Sequence, residues 1–273
     1  MGAVQIPGPA LLFCPADRPD RYPKALAAAD TVILDLEDGV GGDAKEEART
    51  ALAASSLDPA RVIVRVNAAG TPEHAADLEA LSGTGYRMIM LPKAEDVAQL
   101  DVLGDWQVVA LAETPLGVLN AARLAAAPNV IALMWGAEDL IASMHGRTSR
   151  FPDGRYRDVA RHARSSVLLA AAAHGRPAID SVYIDIPDLD GLAAEAEDAA
   201  ASGFALKACI HPSQVAVVRT AFRAGEAQVA WARRVLAAAK DASAGDKGAV
   251  KVDGQMIDAP LIRQAEAILA SVR

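Results

Sequence analysis

The chain has 273 residues, of which 52% are hydrophobic but only 4% aromatic, and a formal charge of -8. An acidic balance with few rings for stacking excludes a general nucleic-acid surface, so any anionic ligand must meet basic residues locally. No apolar run approaches the roughly 18 residues that a membrane span requires. The only cysteines are Cys14 and Cys209, and no charged start leads into an apolar secretory segment. The chain therefore reads as cytoplasmic and reduced, with both thiols as small buried hydrophobes.

In chain order, Ala10 to Cys14 is predicted as a strand, and Pro15-Ala-Asp-Arg-Pro19 turns it into a helix near 19–29. A second strand, Thr31 to Asp35, ends in Leu36-Glu-Asp-Gly39 before a helix near 43–54. A third, Arg61 to Arg65, closes with Val66-Asn67, and a helix starts near Pro72. A fourth, Arg87 to Leu91, leads through Pro92-Lys93 into a helix near 94–103. The fifth, Val108 to Ala112, delivers Glu113 and Thr114, and the sixth, ending in Leu133-Met-Trp135, delivers Gly136-Ala-Glu-Asp139. Continuous apolar runs separated by helices indicate parallel strands covered on both faces.

The polar stretch from Ser143 to Arg157 reads as an active-site loop or lid, and a long helix follows to His174. Ala178 to Ile184 is a seventh strand, and Ala205 to Ile210 is an eighth, ending in His211-Pro212. Eight βα units predict an α/β fold of the closed TIM (β/α)8 type, whose functional groups gather at the C-terminal strand ends. The competing open, doubly wound sheet would need a glycine-rich phosphate loop after its first strand, and Cys14-Pro-Ala-Asp-Arg18 is not one. The barrel is assigned to residues 1–242, including an amphipathic helix from Glu226 to Ala242. Residues 243–273 are assigned to a Ser243 to Gly248 linker and a short tail ending in a helix from about Pro260.

Glu113 and Asp139, ending neighbouring strands, form a pair able to share one hard cation, since Mg2+ uses one or two carboxylates and keeps other positions for water and substrate. Helix capping is the alternative for each acid. Taken together, Phe13-Cys-Pro-Ala, Asp35-Leu-Glu-Asp-Gly39, Arg65-Val-Asn67, Leu91-Pro-Lys93, Glu113-Thr, Gly136-Ala-Glu-Asp139, His211-Pro-Ser-Gln214 and Gly254-Gln-Met-Ile-Asp258 resemble the citrate lyase β-subunit family, related to malyl-CoA and citramalyl-CoA lyases. The resemblance covers essentially the whole chain.

That resemblance implies a Mg2+-dependent lyase that makes or breaks a carbon–carbon bond in a hydroxyacyl-CoA thioester of citramalyl-CoA, malyl-CoA or citryl-CoA type. The products would be an acyl-CoA and a small oxo-acid such as pyruvate, glyoxylate or oxaloacetate. It also implies that Glu113 and Asp139 ligate the metal and that Arg65 holds the oxo-acid oxygen. Asp258 matches a tail aspartate acting from a neighbouring subunit, which points to a homotrimer, although Asp before Ala259-Pro260 is also a common helix start.

Glu37 and Asp38 are candidates to orient the metal's waters, with a turn closed by Gly39 as the alternative. The related pyruvate-dependent aldolases carry a histidine where Asp38 stands, which favours the CoA-thioester branch. Arg18, Arg21 and Lys24 are candidates for the CoA phosphates, with a solvated basic helix face as the alternative. Lys93 reads as a structural cation inside the rim, and His211 as a positioned or capping imidazole. Two other readings remain open: the β-subunit of a complex using a carrier-bound citryl thioester, and a non-catalytic barrel binding CoA esters.

Overall fold

Eight apolar runs become eight parallel strands: β1 Ala10–Pro15, β2 Thr31–Asp35, β3 Val62–Arg65, β4 Met88–Leu91, β5 Gln107–Ala112, β6 Val130–Trp135, β7 Ala178–Asp180 and β8 Leu206–Cys209. In the computed structural model, which describes residues 5–243 and 250–272, each strand pairs with the next. The ring closes where Leu11 of β1 stands opposite Ala208 of β8. The TIM barrel expected from the βα rhythm is the observed architecture.

The helices are α1 Tyr22–Ala28, α2 Lys45–Ala53, α3 Pro72–Ser82, α4 Val97–Asp101, α5 Pro115–Leu119, α6 Ala121–Ala126, α7 Ala137–Ser143, α8 Asp158–Ala173, α9 Leu189–Ser202, α10 Pro212–Ala221, α11 Glu226–Ser243 and α12 Ala259–Ala270. Several begin on the signals visible in the sequence. Thr71 caps α3 by accepting from the His74 amide, and Asp96 and Gln99 form a reciprocal capping box on α4. Among the described residues no helix is long and apolar enough to cross a membrane.

Strand side chains alternate between barrel interior and helical layer. The interior cluster contains Leu11, Ile33, Ile63, Met88, Met90, Val109, Leu111, Ala132, Met134, Ile179, Leu206 and Ala208. Stepping two residues along from Ile33, Ile63 and Leu111 reaches Asp35, Arg65 and Glu113. The same alternation that fills the barrel with aliphatic groups therefore turns its uppermost inward positions over to charge.

The opposite phase buries charge between strands and helices. Asp180 and Lys207 stand in register on β7 and β8, and both are fully buried. Asp180 accepts from Lys207 Nζ at 2.9 Å, Arg164 Nε of α8 at 2.9 Å and Trp135 Nε1 at 2.8 Å. Burial alone disfavours the Asp180 anion, yet Lys207 and Arg164 hold its carboxyl below the usual range. Lys207 also reaches Glu195 of α9 at 3.0 Å, and Glu195 in turn binds Arg150 Nη1 at 2.7 Å.

Arg150 belongs to the polar segment read as a lid. That segment is strapped down rather than standing free: the Arg150 guanidinium is stacked between the rings of Tyr156 and Tyr183. Buried Ser149 donates to Glu138 Oε1 at 2.6 Å.

The chain divides into two compact units, 1–218 and 219–273. The division falls earlier than the boundary at 242 expected from sequence, because α11 packs with the tail and not only α12 does so. Ala232 and Val235 of α11 share a small core with Val252, Ile257 and Ala265. A hairpin unrecognised in the sequence pairs β9 Val250–Val252 with β10 Gln255–Ile257 in antiparallel register. Asp253 (φ 50°) and Gly254 (φ 85°) supply its left-handed turn. Most of the expected linker, residues 244–248, lies outside the described residues.

The buried Asp180–Lys207 pair gives a direct test of this layer. Lys207→Met should cost about 3–5 kcal/mol, because it strips Asp180 of one of its two cations. Chemical denaturation followed by circular dichroism measures it. A loss below about 1 kcal/mol, the worth of an exposed pair, would show that Lys207 contributes no more than a surface charge.

Candidate active site

The upper layer of the barrel is built around Asp35. Its carboxylate accepts Arg65 Nε at 2.7 Å and Arg65 Nη2 at 2.6 Å, and also the backbone amides of Glu37 and Gly39, each at 2.9 Å. Asp35 and Arg65 are cross-strand partners in the β2–β3 register, so the fork meets the carboxylate without leaving the plane of the wall. The same carboxylate thus fixes the arginine and folds the Glu37 turn. Although burial disfavours the charged guanidinium, its hydrogen bonds to Asp35 hold its pKa above the ordinary value.

The fork of Arg65 thus binds Asp35 in bidentate fashion, and Nη1 lies 2.9 Å from Glu37 Oε2. Nη1 and the remaining Nη2 hydrogen are what the guanidinium has for a ligand. The guanidinium also lies over the Phe13 ring, 5.0 Å from its centre.

Glu37 is buried and faces inward, whereas the Asp38 side chain is 63% exposed. The turn expected as the alternative for this pair is present. The segment is a turn, with Val40 N donating to Glu37 O, and Glu37 is also a charged wall of the site. Glu37 Oε1 forms a very short ion pair with Lys93 Nζ, and Lys93 also lies 3.8 Å from Asp38. Burial pushes the Glu37 carboxyl up, against the opposing pull of Arg65 and Lys93.

Glu113 leaves β5 and is almost wholly buried. It is not the cap of α5; Thr114 is, accepting from Gly117 N. Its Oε1 accepts the Lys93 amide at 3.0 Å. Asp139 sits in the first turn of α7, whose N-cap is Gly136 without any side-chain cap bond, so capping is not its task either. Gly136 is needed for space: a Cβ there would stand 2.7 Å from Glu113 Oε2 and 2.8 Å from Glu113 Cβ.

Burial pushes the Glu113 carboxyl up to about 8, and Asp139 then Glu37 add to the rise. Two acids that repel each other across a buried rim, one with an oxygen still uncommitted to the protein, suit a hard divalent cation. Among the described residues no group of three or more His, Cys, Asp or Glu is arranged to hold a metal. A two-carboxylate Mg2+ site requires none.

The remaining candidates are scattered. Arg18, Arg21 and Lys24 are all exposed beside the end of β1, with Arg18 engaged by Asp20 at 3.0 Å. His211 accepts the Ser213 amide on Nδ1 at 3.2 Å, the positional role expected of it. Asp258 is the N-cap residue of α12 yet makes no side-chain cap bond. Cys14 is buried and its thiol is pushed up to about 11 by desolvation, consistent with an inert packing group.

Four residues that hold the site were not singled out from sequence. Lys45 Nζ donates to the carbonyls of Leu36 and Glu37 and to Asn67 Oδ1, while Asn67 is bonded twice to buried Asp77. Asp35 is the fourth. Asp35 and Asn67 both stand in the motifs that carry the family resemblance, and Asp35 carried a further signal, an inward-phase acid beside an inward-phase arginine on the next strand.

The profile of the HpcH/HpaI aldolase/citrate lyase family matches residues 10–104 and 101–212. A citrate lyase subunit beta-like protein of Mycobacterium tuberculosis is 56% identical over 262 residues, covering 96% of this chain and 94% of the relative. A (3S)-malyl-CoA thioesterase of Cereibacter sphaeroides is 36% identical, covering 95% and 93%. The crystal structure of protein CitE from M. tuberculosis in complex with magnesium, acetoacetate and coenzyme A superposes with a TM-score of 0.92 at 55% identity, over 97% of this chain and 98% of that one. With the profile spanning most of the barrel and so near a relative matching almost end to end, the protein belongs to the HpcH/HpaI aldolase/citrate lyase family.

Proposed function

We propose that this chain is a Mg2+-dependent carbon–carbon lyase that makes or breaks the bond between an acyl-CoA and a small oxo-acid in a 3-hydroxyacyl-CoA thioester. The observation that carries the reading is buried Glu113, whose carboxyl is raised by burial and by the nearby charge of Asp139, together with an arginine pre-set by Asp35. That is the equipment for a chelating oxo-acid. The likeness to a protein crystallised with magnesium, acetoacetate and coenzyme A supports the choice of metal, thioester and oxo-acid.

In this mechanism Glu113 and Asp139 hold Mg2+, which when bound supplies Lewis-acid polarisation of the oxo-acid oxygens. Arg65 turns its uncommitted N–H groups toward the oxygen on which charge develops as the bond breaks, already oriented and therefore without reorganisation cost. Glu37 and Asp38 orient solvent at the rim. Asp258, contributed by a neighbouring subunit, moves the proton at the acyl-CoA α-carbon, and Arg18, Arg21 and Lys24 meet the CoA phosphates.

The assembly is a homo-oligomer, read as a homotrimer, in the reduced cytoplasm. Exposed Leu119, Val159 and Leu169 line an apolar cavity of about 590 Å3 between α5, α6, α7 and α8.

The test is an assay of purified protein against citramalyl-, malyl- and citryl-CoA with and without Mg2+, with products identified by mass. Release of an oxo-acid is expected, and Asp139→Asn should reduce it by more than the roughly 10–100-fold that loss of an outer-sphere partner costs. Release of the intact hydroxy acid with free CoA would mean hydrolysis instead of lysis. Turnover only of a carrier-bound citryl thioester would make the chain a complex subunit, and binding without turnover would make it a CoA-ester binder.

For Arg65→Lys, kcat/KM should fall roughly 100-fold, the cost of losing one donor to a developing oxyanion, with little change in CoA affinity measured by calorimetry. An equal loss in both would move Arg65 to the CoA side. Mixing inactive Asp258→Ala with inactive Asp139→Asn under conditions of proven subunit exchange should restore part of the activity. No recovery would count against a tail acting in trans.

A further inference from the structure

Lys93 touches acids from two walls of the site through different atoms. Its backbone amide donates to Glu113 Oε1, and its ammonium pairs with Glu37 and faces Asp38. It does so from φ 50°, a left-handed conformation that a residue with a Cβ adopts at a cost. Glycine or asparagine would adopt that turn at lower cost.

The consequence concerns Glu37. It is buried, and close enough to raise the Glu113 carboxyl. Oε1 is hydrogen-bonded by Lys93, while Oε2 lies 2.9 Å from Arg65 Nη1 but has no hydrogen-bond partner among the described residues, so the Lys93 contact is the hydrogen bond that fixes this carboxylate. A third free carboxylate beside Glu113 and Asp139 would be a competent ligand for a hard cation and would take a position otherwise open to water or substrate.

We propose that Lys93 is a positioning residue that keeps Glu37 out of the cation's coordination sphere, so that the metal takes two protein carboxylates and leaves room for a chelating substrate. The inference rests on the assignment of Glu113 and Asp139 as ligands, and the experiment separates the two.

Mn2+ serves as the probe, with affinity read from the electron paramagnetic resonance of free Mn2+ and coordinated water counted from water-proton relaxation of the complex. Lys93→Gly suits the left-handed backbone and keeps the amide to Glu113 while removing the ammonium. It should bind Mn2+ about tenfold tighter, as ligand charge count predicts, with fewer coordinated waters and reduced turnover. Adding Glu37→Gln should return both binding readouts to wild type, and Lys93→Arg should keep the wild-type water count. Lys93→Met gives the same test should the glycine variant fail to fold. An unchanged water count in Lys93→Gly or Lys93→Met overturns the proposal even if affinity rises, because Lys93 would then act by charge alone. Separately, wild-type Mn2+ binding by both Glu113→Gln and Asp139→Asn would overturn the ligand assignment itself.

Discussion

The cross-strand pair of Asp35 and Arg65 sets the chemistry of this barrel. A carboxylate at the end of β2 satisfies four donors, two from the guanidinium and two from the turn that follows it. An arginine in a barrel mouth is costly to bury unless its fork is answered by a planar acceptor. Once answered, it is rigid, and it carries Glu37 with it. The positions of Glu37, Lys93 and Glu113 then follow as a chain of charge-assisted contacts across β2, β4 and β5.

A second buried network stands behind the opposite part of the wall. Asp180 and Lys207 point outward, where Asp35 and Arg65 point inward, and they tie β7 and β8 to α8 and α9. The link from Glu195 to Arg150 extends this network into the segment after α7. The Ser149–Glu138 bond then brings that segment back to the residue beside Asp139.

The eight strand runs, the inserted helices and the position of most polar residues at strand ends were legible from hydrophobic patterning. Glu113 and Asp139 could be nominated because each closely follows an apolar run, whereas the roles of Arg65 and Glu37 were proposed together with the family motifs that contain them. What could not be read was commitment. Arg65 looks free in sequence, yet Asp35 occupies its fork. Asp38 and Glu37 look equivalent, yet one is exposed and the other buried, since a turn presents successive side chains to different environments. Lys45 and Asp77 lay in helical stretches with no local mark of function. The Asp253-Gly254 turn did carry a hairpin signal, between short apolar segments that were left as tail.

The sequence by itself determined the barrel and the layer in which its charges stand, because a period of two along each strand decides which residues face the interior whatever surrounds them. It also placed Glu113 and Asp139 just beyond the ends of β5 and β6. Tertiary structure decided which charges are already spent on one another. Ion pairs between Asp35 and Arg65, Glu37 and Lys93, or Asp180 and Lys207 join positions 27 to 56 residues apart. No local pattern fixes their geometry, because it arises only when the parallel strands come into register.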